Sequence, residues 1–450
     1  MERLLVIGGD AAGLSAASQA RRRRSADDLA ITVLERGPWI SYSACGEPYF
    51  ISGEVDELTS LLARTPEQFA QRDIEVHRHH DVVEIDLDAR TATARTPDGE
   101  TRVEPFDQLV YATGASAIRP PIDGLESAGV HVLRTLDDAA AIESSAGRAE
   151  TALVIGAGYI GLEVAEALVA RGLEVTIVDI FPSVLMRTLE PRLSPLIEDE
   201  LARHGVSVHL ATTIEAIRQG ADGRAVASSA DAAFVADLVV MGGGATPNVE
   251  LAAAAGIPLG ETGAVAVDDR QRTSVDGVWA AGDCAEARHR ITGRPVNYQL
   301  GTVANKQGRV AGINLGGGDA TFPGVLGTAI TRVFDLEVAR TGLDDRDAET
   351  AGMRLVTGTV DSTTTAGYMP GAAPITVSVT VDGDGTMVGA QVVGGPGAGK
   401  RIDTLATAIW AGLGAEDFAM ADLSYAPPFS GVWDPVAIAA RRAGEAAARS

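Results

Sequence analysis

Apolar positions in this chain fall into short unbroken runs alternating with longer stretches of helical period. That is the pattern of strands buried on both faces by covering helices. RLLVIG (residues 3–8) is such a run, AAGLSAASQARRRR (11–24) follows as a helix rich in small residues, and ITVLE (31–35) is a second run ending on Glu35. The order recurs in ALVIGAGYIGLEVAEALVARGLEVTIVD (152–179), which predicts strand, glycine turn, helix and a strand ending on Asp179. From Gly367 to Val393 the period changes to alternation around the turn DGDG, which predicts antiparallel hairpins. IAARRAGEAAARS predicts a last helix.

The glycines add chemistry to the first pattern. Gly8, Gly9 and Gly13 lie between strand and helix, and Gly156, Gly158 and Gly161 recur at the second site. Without a Cβ, the backbone comes close to a pyrophosphate, the helix N-terminus supplies N–H groups, and an acid at the end of the next strand accepts from a ribose hydroxyl. Asp10 replaces the middle glycine of the first turn, while the second fingerprint is complete. The fold class expected is α/β, with two Rossmann-like nucleotide-binding domains and a C-terminal α+β domain. Asp179 would repel a 2′-phosphate, and neither Ile180 nor Phe181 offsets it, so NADH is expected over NADPH. Arg187, in the following loop, is the one cation near enough to alter that preference.

Charge and cysteine content narrow the class. The 450 residues carry 61 acidic and 37 basic side chains, a net charge of −24, which argues against nucleic-acid binding. No leader-like or bilayer-length apolar segment stands out, and two cysteines, Cys45 and Cys284, form no disulfide framework, so a soluble cytoplasmic protein is expected. His77, His79 and His80 invite a metal reading, but no ligand constellation completes it, and no metal is expected. GGPGAGK lacks the Lys-Ser/Thr ending and flanking elements of a phosphate loop.

Cys45 stands in SYSACGEPYF (41–50), and further segments give that stretch a context: LVYATG (109–114), VWAAGDCAE (278–286), NYQLGTVANKQGRVAGIN (297–314), AGYMPGAAPI (366–375), KRIDTLATAI (400–409) and YAPPFS (425–430). Together they resemble the flavin-dependent pyridine-nucleotide disulfide oxidoreductases, most closely the single-cysteine branch of coenzyme A disulfide reductases, NADH oxidases and NADH peroxidases. The resemblance implies FAD on the first fold, against Gly8, Gly9, Asp10, Ala11, Ala12, Gly13, Glu35 and Arg36, then Ala112, Thr113, Gly114, Asp283, Gly301 and Ala304. It implies the nicotinamide nucleotide on the second, against Gly156, Gly158, Tyr159, Ile160, Gly161, Glu163, Asp179 and Gly243. The implied domains are 1–115 with 247–325 for FAD, 116–246 for NAD(H), and 326–450 for dimerisation.

By the same resemblance Cys45 is the redox thiol, at the start of a helix whose N-terminus lowers its pKa. Tyr425 and Tyr368 would come from the second subunit of a homodimer as proton donors, and Gln19, Arg22 and Ser41 would hold coenzyme A. Ala11 stands where the oxidases and peroxidases carry a histidine, which favours a low-molecular-weight disulfide or persulfide as acceptor over oxygen. An NADH oxidase, or a reductase serving a redox protein partner, is the alternative. Ala44 stands where the staphylococcal-type coenzyme A reductases have an asparagine, and Asp73 stands near a lysine that they use for the substrate, which puts coenzyme A itself in question. Cys284 reads as a packing residue. Glu47, in CGEPY where relatives have CGLPY, either points to solvent or inward, where its charge would raise the Cys45 pKa.

Overall fold

A computed structural model describes residues 1–126 and 129–449. The first sheet is wholly parallel, in the order Val278–Ala280, Gln108–Tyr111, Glu2–Ile7, Leu29–Glu35, Glu75–Arg78. Leu4, Leu5 and Val6 are at most 1% exposed, as a strand covered on both faces requires. Helix Ala11–Arg21 packs on helix Gly301–Leu315, and there glycine is obligatory: a Cβ on Gly308 would lie 2.2 Å from the Ala12 carbonyl oxygen, and one on Gly312 2.2 Å from that of Ala16. The helix stops before most of the predicted arginine run. Arg21 turns its guanidinium onto the Leu29 and Asp73 carbonyls, and the backbone tightens through Arg23 N–H to Ala20 O.

A second parallel sheet follows, in the order Ser207–His209, Glu174–Val178, Thr151–Ile155, Leu238–Met241, Val130–Val132. A two-stranded antiparallel ribbon, Ala115–Ala117 with Ala245–Pro247, carries the chain into and out of this unit. The C-terminal part is a five-stranded antiparallel sheet covered by helices Arg401–Ala411 and Pro435–Ala447. Its hairpin strands are Pro374–Val381 and Met387–Gly394, so pairing begins later than the alternation from Gly367 predicts. Residues 366–372 instead close turns, Met369 N–H to Ala366 O and Ala372 N–H to Met369 O. Among the described residues no helix is long and apolar enough to cross a membrane.

Candidate active site

Both glycine turns take the conformation that strand–turn–helix geometry demands. Gly8 (φ 108°) and Gly156 (φ 115°) have left-handed backbones, and a Cβ on either would meet the Ala112 oxygen at 2.1 Å or the Gly242 oxygen at 2.5 Å. Gly13 and Gly161 close on the carbonyls of Gly8 and Gly156, where a Cβ would lie 2.0 and 1.9 Å away. Gly158 differs, since its Cβ position faces open space at the N-terminus of helix Tyr159–Ala170. That bare backbone is the feature a pyrophosphate needs.

The two strand-end acids hold their turns. Glu35 accepts from Gly9 N–H at 2.8 Å and Gly37 N–H at 2.7 Å, with Arg36 exposed between them. Asp179 accepts from the N–H groups of Ala157 and Phe181. Arg187 does return to this strand end, where its guanidinium lies 5.2 Å over the Phe181 ring. Asp10 sits at the N-cap of the first helix, accepts from Tyr42 N–H at 3.1 Å, and is pushed up to about 6 by burial. Around the first turn, Ala12, Ala281 and Ala304 form a small buried cluster with Ala11 and Ala112 against it. Thr113 donates to the Asn248 carbonyl and Gly114 accepts from Asn248 N–H. Gly243 lies in the second unit beside the Met241 side chain.

Cys45 is not at the N-terminus of an α-helix. It occupies a short 3-10 turn, Ala44–Gly46, ahead of helix Glu47–Ser52. The expected lowering of its pKa is reversed. The residue is exposed, yet enough protein crowds the sulfur that desolvation raises the pKa first, followed by the charges of Glu163, Glu47 and Asp283, against a single lowering cation, Arg134. Glu163 accepts from the Thr331 hydroxyl at 2.7 Å and is itself raised by burial. Tyr159, in the same helix, is raised chiefly by burial.

Arg134 carries no motif and escaped sequence reasoning. It binds Asp283 at 2.6 Å and the Ala115 carbonyl at 2.9 Å, joining the start of helix Leu136–Ala146 to the first fold. Cys284 is fully buried, its thiol pushed up to about 11, as a packing residue should be.

Gln19, Arg22 and Ser41, far apart in sequence, line one cavity of about 520 Å³. Arg64, Lys306 and Arg309 join Arg22 there, four cations against one carboxylate, Asp10. Ser41, Tyr42 and Ser43 form part of its wall, so the cavity runs up to the turn bearing Cys45. A neighbouring cavity of about 420 Å³ holds Asp73 among Arg21, Arg22 and Arg72, so the acid that counted against a phosphate-rich ligand is surrounded by cations.

The model of the pyridine nucleotide-disulphide oxidoreductases matches residues 2–308, and that of their dimerisation domain residues 328–436. The chain belongs to this family. It is 38% identical over 442 residues to an NAD(P)H sulfur oxidoreductase (CoA-dependent) of Pyrococcus abyssi, covering 97% of each chain. It is 30% identical over 436 residues to a coenzyme A disulfide reductase of Staphylococcus haemolyticus, covering 96% of each. Among solved structures, the NAD-dependent persulfide reductase from A. fulgidus superposes with a TM-score of 0.93 at 40% identity, over 98% of this chain and 82% of that one. The protein is therefore an NAD(P)H-dependent flavin reductase of the disulfide and persulfide group.

Enzymes of this family use FAD, and the residues present fit it. Gly301 opens helix Gly301–Leu315 with nothing near its Cβ position, and Asp283 is held by Arg134 beside the small-residue cluster. Tyr368 and Tyr425 stand in hydrogen-bonding contact with each other, 75% and 48% exposed, on the C-terminal domain. His77 pairs with Glu75 at 2.7 Å, and its ring lies tilted by 43° against that of His80. Glu200, His204 and Asp335 bring ligand-type atoms within 4.8 Å of one another. Glu200 is already held by Arg203 and the Asp335 N–H, and His204 stacks on Phe334, so this group reads as a clasp between the second unit and the C-terminal sheet.

Proposed function

We propose that the protein uses NADH to reduce a low-molecular-weight disulfide or persulfide of the coenzyme A type at Cys45, as a homodimer. The observation that carries this is the cationic cavity whose wall leads into the Cys45 turn. Arg22, Arg64, Lys306 and Arg309 suit a phosphate-bearing tail, with Gln19 and Ser41 as hydrogen-bonding partners, and a tail held there delivers its sulfur to Cys45. Bound FAD supplies the two-electron relay between nicotinamide and sulfur. The Cys45 thiolate attacks the nearer sulfur of R–S–S–R, a Cys45–S–S–R bond forms, and RS⁻ leaves. Tyr425 and Tyr368 of a second copy of the chain give the leaving thiolate its proton. Two electrons then break the mixed disulfide, releasing the second thiol and restoring Cys45. Asp179 favours NADH by accepting from the free ribose hydroxyl, while Arg187 beside Phe181 tempers that choice.

The test is Cys45→Ser. NADH-dependent reduction of coenzyme A disulfide should fall by about a hundredfold or more, whereas NADH-dependent reduction of a dye should survive within about threefold. Disulfide reduction that persists in the variant would overturn the assignment of the thiol.

A further inference from the structure

Glu47 opens helix Glu47–Ser52 directly after the turn that carries Cys45. It is 3% exposed, and its Oε1 is buried with no hydrogen-bond partner. The structure thus selects the inward orientation of the two that the sequence allows. A buried carboxylate needs a cation or N–H donors to stay ionised; here Oε1 has no donor, and the one cation facing the group, Arg134, offsets burial only in part.

The groups facing it come from separate elements. Asp10 lies at the start of helix Ala11–Arg21, Asp138 in the first turn of helix Leu136–Ala146, and Arg134 just ahead of that helix. Arg134 is committed to Asp283 and the Ala115 carbonyl, and Asp138 to the N–H and hydroxyl groups of Arg134 and Thr135. Tyr42 and Cys45 complete the surroundings, both raised first by burial, then by Asp10 and Glu163 respectively, and in each case next by the Glu47 charge. Glu163 and Asp283 face the same sulfur from other segments and carry the same sign.

We propose that Glu47 is a titrating positioning residue for Cys45: neutral, it lets the thiol ionise, and ionised, it holds the sulfur protonated. This rests on Cys45 being the redox thiol. The two ionisations, Glu47–COOH to COO⁻ and Cys45–SH to S⁻, each release a proton to solvent, and each opposes the other. Burial pushes Glu47 up to about 8, so the brake engages in the range where a thiol begins to ionise. Thiolate formation is therefore spread over a wider pH range than for a lone cysteine.

The experiment measures the rate of Cys45 alkylation by iodoacetamide against pH in the flavin-loaded, thiol-reduced protein, with mass spectrometry locating the adduct. Cys284 is fully buried and does not compete. In Glu47→Gln the profile should narrow and move to a lower midpoint, Glu163 and Asp283 still facing the sulfur, at least about threefold faster than wild type near pH 9 and equal within about twofold near pH 6. Glu47→Leu should behave the same way, and an unchanged flavin spectrum in both variants verifies their folding. Superimposable profiles for wild type and the variants, or a change uniform across pH, would overturn the proposal. The readout needs no turnover, so retention of disulfide reduction by Cys45→Ser would sink the proposed function while leaving this titration measurable.

Discussion

Asp10, half-buried, and Glu47, buried, are acids whose folded-state affinities for a proton exceed those of the unfolded chain, Asp10 at about 6 and Glu47 at about 8. Their contribution to stability is complete below the ordinary carboxylate range and is lost as pH rises through those values. For Asp10 the loss is at most about 2–3 kcal/mol, accumulating between about pH 4 and 6. Asp10→Asn should therefore leave the urea midpoint of the flavin-free protein unchanged near pH 4 and raise it near pH 7. A midpoint that fails to rise would mean that Tyr42 N–H compensates the carboxylate in full. Much at this scale was legible in the sequence, because fingerprint glycines and strand-end acids have local reasons to exist. Arg134 was not, since only tertiary folding brings it to Asp283. The Cys45 expectation failed for the same reason: Glu163 and Asp283 arrive from distant segments. Glu47 points inward only once its helix packs against helices Leu136–Ala146 and Tyr159–Ala170.

Elements were the most readable level, because continuous apolar runs and helical periods leave few alternatives. Their ends were less so: the first helix yields at the arginine run, and the C-terminal hairpin starts at Pro374. What periodicity cannot convey is how closely two helices approach. Gly308 and Gly312 sit in a helix that touches the one following the first glycine turn, so this contact fixes the turn against the sheet. Gly308→Ala must push backbone apart at Ala12, costing about 1–3 kcal/mol or more by overpacking, and should reduce FAD retention along with the urea midpoint. Gly444→Ala provides the contrast. It lies in helix Pro435–Ala447 with its Cβ position 3.5 Å from Ala415 Cβ, an ordinary contact, so the better helix former should stabilise by about 0.5–1 kcal/mol and leave flavin content alone. Equal effects from the two changes would show that helix propensity, and not the close approach, governs the site.

For the whole molecule, the C-terminal domain presents an apolar surface that a lone protomer has little reason to keep. Tyr368, Met420, Phe429 and Val432 are 73–75% exposed and Trp433 50%, and the two segments bearing them are joined by Ala366 N–H to the Pro427 carbonyl. Exposed patches of this kind mark association sites, and this one falls largely within the family's dimerisation domain, residues 328–436. The tyrosine pair shares the surface, so association would bury it, and the proposed mechanism further requires that it bring Tyr425 to the partner's sulfur. Replacing Phe429 and Val432 together with glutamate should place buried charges at the contact and halve the mass seen by sedimentation at about 10 µM, since unpaired charges at an interface cost several kcal/mol. NADH-dependent dye reduction needs only the two nucleotide folds and should persist in the monomer. Disulfide reduction should drop at least about tenfold, because no second copy remains to protonate the leaving thiolate. A variant that sediments as a monomer yet reduces disulfides at the wild-type rate would remove Tyr368 and Tyr425 from the chemistry and leave them only a place in the interface.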